Sequence, residues 1–157
     1  MRQFQSEQSM EHELINQLTS GTSQWTYRDD LRTEEALWAN VKQKIEQNNV
    51  ERLDDTMLTE QEFNQIKDQL HFANFYEAAQ FWAGENGVSK VTVQREDVKF
   101  GTVHLEVHRA SDITGGTSSY EVINQCVRFK EHKLDRNRRF DVTLLLNGLP
   151  IIHIELS

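Results

Sequence analysis

The stretch from Phe140 to Ser157, FDVTLLLNGLPIIHIELS, decides how this chain is read. Asp141 opens a run of β-branched and aliphatic residues, Asn147 and Gly148 are the residues of a tight hairpin turn, and Glu155 lies on the returning apolar strand. Two acidic residues therefore sit on the two arms of one hydrophobic hairpin. A carboxylate on an apolar strand is costly unless its charge is compensated, and a divalent metal ion is the compensation that also does chemistry.

The register of the hairpin decides whether the two acids meet. A two-residue loop at Asn147 and Gly148 pairs Asp141 with Ile154 and leaves Glu155 on the other face. A three-residue loop through Leu149, or one bulged residue near the turn, puts Asp141 directly across from Glu155, with Cβ atoms roughly 5 Å apart. Strand side chains recur on one face every second residue, so position 157 shares the face of Glu155 and is where a third catalytic group is expected.

The stretch resembles the amino-terminal nuclease domain of the R subunit of type I restriction enzymes, a branch of the PD-(D/E)XK nuclease superfamily. In that family an Asp opens the hairpin, an NGLP turn follows, and the strand ends in Glu-Leu-Lys. Asp141, Asn147-Gly148-Leu149-Pro150 and Glu155-Leu156 match, while Ser157 stands at the lysine position. The resemblance extends upstream through Tyr120 to Gln125 (YEVINQ), Arg139, and the first helix around Glu11, Leu14 and Ile15. It implies Mg²⁺ held by Asp141, Glu155 and the backbone carbonyl of Leu156, polarising a scissile phosphate and lowering the pKa of an attacking water. It also implies that Glu11 faces the site. The family's lysine orients that water or stabilises developing negative charge, and the Ser157 hydroxyl offers neither a cation nor comparable reach. The expectation is endonucleolytic cleavage of double-stranded DNA by the family, with this chain alone inactive.

Length and composition bound the remainder. A chain of 157 residues suits one domain with a real core. The lone Cys126 cannot form an internal disulfide and fits a reducing cytoplasm. No stretch is long and apolar enough to span a membrane, and the opening MRQFQSEQSM lacks the apolar core of a signal peptide, so a cytoplasmic protein without membrane contact is expected. The net charge of −8 argues against nucleic-acid binding through the whole surface. Locally, however, Arg128, Lys130, Lys133, Arg136, Arg138 and Arg139 outnumber Glu131 and Asp135 just before Asp141, a segment suited to holding DNA phosphates. A solvated basic loop is the plain alternative.

The pattern is helical over residues 1–85 and sheet-rich over 86–157. Met10, Glu11, Leu14, Ile15 and Leu18 fit one amphipathic helix ending near Gly21. Helices follow at Glu34 to Gln47, at Thr59 to Leu70 with Thr59 and Glu62 as a capping box, and at Phe75 to Ala83 after the cap candidate Asn74. From Val88 the period becomes two: Val91 and Val93, Val98 to Val107, Tyr120 to Phe129 after a turn at Gly115 and Gly116, and the terminal hairpin. The fold class is α+β, with a restriction-endonuclease-like core whose central, mixed and mostly antiparallel sheet is flanked by helices.

Two rival constellations need weighing. His104, Glu106 and His108 alternate on one strand and could ligate zinc, but such residues more often form the polar face of a sheet. The aromatic groups Trp25-Tyr27, Trp38 and Phe72-Phe75-Tyr76-Phe81-Trp82 could stack bases, but their spacing suits a core. Two functions from different classes remain. One is the amino-terminal part of a restriction endonuclease subunit; there the resemblance implies methylation and specificity subunits as partners and ATP use by the complete enzyme only, since no GxxxxGK[ST] loop occurs here. The other is a non-catalytic module that keeps the nuclease fold and binds a partner or DNA.

Overall fold

In the computed structural model, residues 2–72, 75–109, 118–124 and 141–155 are described. The chain forms α1 (Arg2–Thr19), β1 (Trp25–Tyr27), α2 (Glu34–Asn48), α3 (Glu60–Gln69), α4 (Phe75–Ala83), β2 (Val88–Gln94), β3 (Thr102–Arg109), β4 (Tyr120–Asn124), β5 (Asp141–Leu146) and β6 (Leu149–Glu155). Contacts cluster it into two compact units, residues 1–41 with 119–157, and residues 42–118.

The first unit holds a four-stranded mixed sheet in the order β1-β4-β5-β6, in which β1 runs parallel to β4 and the other pairs are antiparallel. This is the α+β architecture that the alternation of helical and two-residue periods implies. Period-two patterning splits the sheet residues between two faces. On one face Val122, Val142 and Leu144 bury against Ile15, with Leu14 and Leu18 of α1 and Ile154 packed around them. On the other, Ile123 and Leu145 bury against Leu31 and Leu37. Each fully buried Leu or Ile of this kind stabilises the fold by about 1.5–3 kcal/mol. Pro150 lies on β6, at the sheet edge, where its missing N–H breaks no central ladder.

The second unit pairs β2 and β3 as a two-stranded antiparallel sheet of its own, with Val91, Val93, Leu105 and Val107 buried. Amide side chains close both of its edges. Gln65 and Gln69 of α3 each donate to and accept from the β2 backbone, at Gln94 and Thr92. Asn49 does the same for Glu106 on β3, accepting from its N–H at 2.8 Å and donating to its carbonyl at 2.9 Å. A short sheet whose edge groups are so paired offers little template for a further strand.

Several boundaries differ from the sequence expectation. The α3 capping box is present: Thr59 accepts from the Glu62 amide and the Glu62 carboxylate accepts from the Thr59 amide. The expected strand from Val98 is displaced, because Asp97 caps a 3₁₀ turn over Val98–Phe100 and Gly101 takes φ 63°, so the strand starts at Thr102. One continuous sheet was expected, and two form. Strand β1 coincides with the Trp25-Tyr27 aromatic group; it pairs over three residues, too few for periodicity to register. The described part of the Tyr120 strand ends at Asn124, and Asn74, the Gly115-Gly116 turn and the chain from Gln125 to Phe140 lie outside the described residues.

Candidate functional site

The hairpin turn fixes the site. Asn147 and Gly148 have φ of 52° and 88°, the paired positive values of a type I′ turn, which the Asn-Gly dipeptide favours. Asn147 is buried and also ties the turn to the start of β4, its N–H donating to the Ser119 carbonyl and its side-chain oxygen accepting from the Ser119 N–H, both at 2.8 Å. The turn is thus the two-residue one, yet the register is not the simple one. Leu144 pairs with Ile152 and Leu145 with Pro150, so Ile151 is the extra residue of a bulge. Beyond the bulge Val142 faces Ile154, and Asp141 is the register partner of Glu155. Positions 141, 153 and 155 are described through this backbone register.

Directly paired positions share a sheet face. Asp141 and Glu155 therefore occupy one face at the open end of the hairpin, together with positions Thr143 and His153 and, on β4, Ile123 and Glu121. This is the face on which Leu31 and Leu37 pack.

Glu11 stands at the same end of the sheet with the opposite parity. Its side chain is fully buried. The Asn124 amide donates to Glu11 Oε1 at 2.6 Å, and the Tyr27 hydroxyl donates to Asn124 Oδ1 at 2.6 Å. Asn124 is the partner of Val142, one residue from Asp141, so the Tyr27–Asn124–Glu11 chain lies on the α1 face beside the acidic pair rather than on its face. The sequence names Tyr27 within an aromatic group and Asn124 within YEVINQ, but their link to Glu11 spans 97 and 113 residues of chain and leaves no local signal.

A second polar group lies on the face of the acidic pair. The buried Glu121 carboxylate pairs with Arg28 and accepts from Asn40 Nδ2 at 2.9 Å. Arg28 also pairs with Asp30 at 2.7 Å. The hydrogen bond to Asp30, against the opposing effect of burial and with help from Glu121, holds the Arg28 guanidinium above its usual range. The same bond holds the exposed Asp30 carboxyl down at about 2.

Leu156, Ser157 and the basic residues Arg128, Lys130, Lys133, Arg136, Arg138 and Arg139 lie outside the described residues. Among the described residues no group of three or more His, Cys, Asp or Glu gathers around a metal position. The zinc alternative gains nothing: His104 Nδ1 meets Thr92 Oγ1 at 3.0 Å, Glu106 pairs with Arg52 and Arg109, and His108 packs edge-on against Trp82. Among the described aromatic residues Phe72 packs on Phe81, Phe81 on Trp82, and Trp25 on Tyr120, and all five rings are half-buried. No helix among the described residues is long and apolar enough to cross a membrane.

An α+β chain with a mixed sheet flanked by helices, and with two acids paired across an NGLP hairpin, has a nuclease-like fold. The profile of the type I restriction enzyme R protein N terminus matches residues 4–156, and the chain belongs to that family. Its relatives include the endonuclease subunits of type I restriction enzymes from Staphylococcus aureus strain MSSA476, 27% identical over 157 residues, and strain COL, 26% identical over 157 residues. A third, from Staphylococcus saprophyticus, is 26% identical over 156 residues. Each alignment covers 98% of this chain and 15% of the relative, so the chain spans a small part of the length of these proteins.

Proposed function

We propose that this chain is the amino-terminal part of a type I restriction endonuclease subunit, whose task is Mg²⁺-dependent cleavage of double-stranded DNA. The observation that carries the reading is the pairing of Asp141 with Glu155, since two oxygen ligands on one face at the end of a hairpin suit a hard divalent cation. Asp141, Glu155 and the Leu156 carbonyl would hold the cation, which when bound would supply charge stabilisation at the scissile phosphate and a water of lowered pKa. Glu11, fixed by Asn124, adds negative charge at the same end of the sheet. Arg128, Lys130, Lys133, Arg136, Arg138 and Arg139 precede Asp141 and hold the DNA backbone. Methylation and specificity subunits choose the target, and ATP is used by the complete cytoplasmic enzyme.

Ser157 in place of the family's lysine supports a second reading, a nuclease-fold module that binds DNA or a partner without cutting. Titration calorimetry of Mg²⁺ and Mn²⁺ into the chain and into Asp141→Ala tests the site common to the catalytic reading. Binding by the parent and its loss in the variant are expected; equal heats from both would overturn the metal assignment.

A further inference from the structure

Arg32 is an exposed cation at the end of the sheet that carries the acidic pair, and the proposed chemistry leaves it without a task. Its position follows from the topology. Strands β1 and β4 run parallel, so the chain leaving β1 at Tyr27 emerges at the end of the sheet where β4 finishes and β5 begins. There the Arg32 guanidinium donates through Nε to the Asp29 carbonyl at 2.9 Å and brings Nη1 to 3.5 Å from the carbonyl of Asn124, the partner of Val142. The second distance is at the limit of a hydrogen bond and marks proximity more than anchoring. Leu31, next in the chain, buries against Ile123 and Leu145, whose positions share a face with 141 and 155. Arg32 thus lies at the end of the sheet that carries Asp141 and Glu155.

Charge compensation separates it from its neighbour. Arg28 is held by Asp30 and Glu121, whereas Arg32 is exposed and no carboxylate pairs with it among the described residues. A guanidinium carries five donors in a rigid fork and stays protonated, and this one has donors left over at its outer end. Asp29, Glu34 and Glu35 lie close by in sequence, which works against a diffuse attraction for polyanions and leaves a directed contact with one phosphate as the chemistry that fits.

We infer that Arg32 is a DNA phosphate-binding residue of this site, a cation entering from the loop between β1 and α2. The inference rests on the nuclease reading for the identity of the polyanion. It is tested by fluorescence anisotropy of a labelled duplex oligonucleotide across a salt series with Ca²⁺ present, using the parent chain, Arg32→Ala, Arg32→Lys and the control Lys99→Ala, whose exposed side chain lies in the other unit. Arg32→Ala should weaken binding about tenfold and lower the slope of log affinity against log salt by about one, with Lys99→Ala unchanged. Arg32→Lys should keep the slope but recover only part of the affinity. Parent-like binding and slope in Arg32→Ala, equal losses in Lys99→Ala, or no duplex binding by the parent would each overturn the inference. Calorimetry separates it from the reading beneath: Mg²⁺ affinity is expected to survive Arg32→Ala. A Mg²⁺ affinity indifferent to Asp141→Ala would sink the metal site while leaving the phosphate contact standing on its salt slope.

Discussion

Glu62→Gln should be among the most damaging conservative substitutions in the second unit. The Glu62 side chain is 2% exposed and lies 2.9 Å from Arg95 Nε, itself 4% exposed. Its carboxylate also accepts from the Thr59 amide at 2.9 Å and the Glu96 amide at 2.8 Å. Burial pushes this carboxyl up, but the Thr59 and Glu96 amides and the Arg95 guanidinium together hold it below its usual 4.5. Glutamine keeps the volume and one acceptor, yet leaves a buried guanidinium without a counter-charge. Breaking one side of a buried pair costs about 3–5 kcal/mol, and the retained acceptor puts the expectation near the lower figure. Urea unfolding at pH 7, followed by circular dichroism, reads this directly. Because the folded carboxyl is depressed, its contribution is complete above the unfolded value and is lost as pH falls through the folded one, so the gap between parent and variant should close below about pH 4.5. Adding Arg95→Met to Glu62→Gln should recover most of the loss, since removing both charges leaves neither uncompensated. A difference under about 1 kcal/mol at pH 7, or one that persists on acidification, would refute the reasoning.

Asn49→Ala should cost about 2–4 kcal/mol, because it strips partners from the Glu106 N–H and carbonyl and from the Ile45 carbonyl, and loss of slow hydrogen exchange at Glu106 would locate the effect. Gly148→Ala places a Cβ 3.0 Å from Val41 Cα at φ +88°, and should cost about 1–3 kcal/mol while loosening the register that pairs Asp141 with Glu155; unchanged thermal stability together with unchanged Mg²⁺ affinity would contradict this. Asp30→Asn removes a carboxyl held near 2 but exposed, so at neutral pH its effect should stay below about 1 kcal/mol, fading only as pH falls toward 2. The chain alone should show little cleavage of plasmid DNA in Mg²⁺, since losing one electrostatic stabiliser typically costs about 10²–10³ in rate; robust cleavage abolished by Asp141→Ala would show that Ser157 does not disable the site.

Much of this protein is legible in one dimension because its signals are local. The Asn147-Gly148 dipeptide specifies a turn, Thr59 and Glu62 specify a helix start, and alternation from Val88 onward specifies strands, each through contacts within a few residues. The family was legible too, since the turn and its flanking acids are contiguous. What needed the tertiary structure is whatever depends on partners distant in the chain. Whether Asp141 faces Ile154 or Glu155 turns on a single bulge at Ile151, which no periodicity marks. Strand β1 exists because Trp25–Tyr27 finds Tyr120–Val122, and the glutamate that resemblance singled out, Glu11, is held by Asn124 of β4, which Tyr27 of β1 holds in turn. The division into two sheets, and the amide side chains that close the edges of the smaller one, follow from the same cause. Local sequence sets which elements form, while register and pairing are decided by the free energy of burying particular faces against one another, a quantity spread over the whole chain.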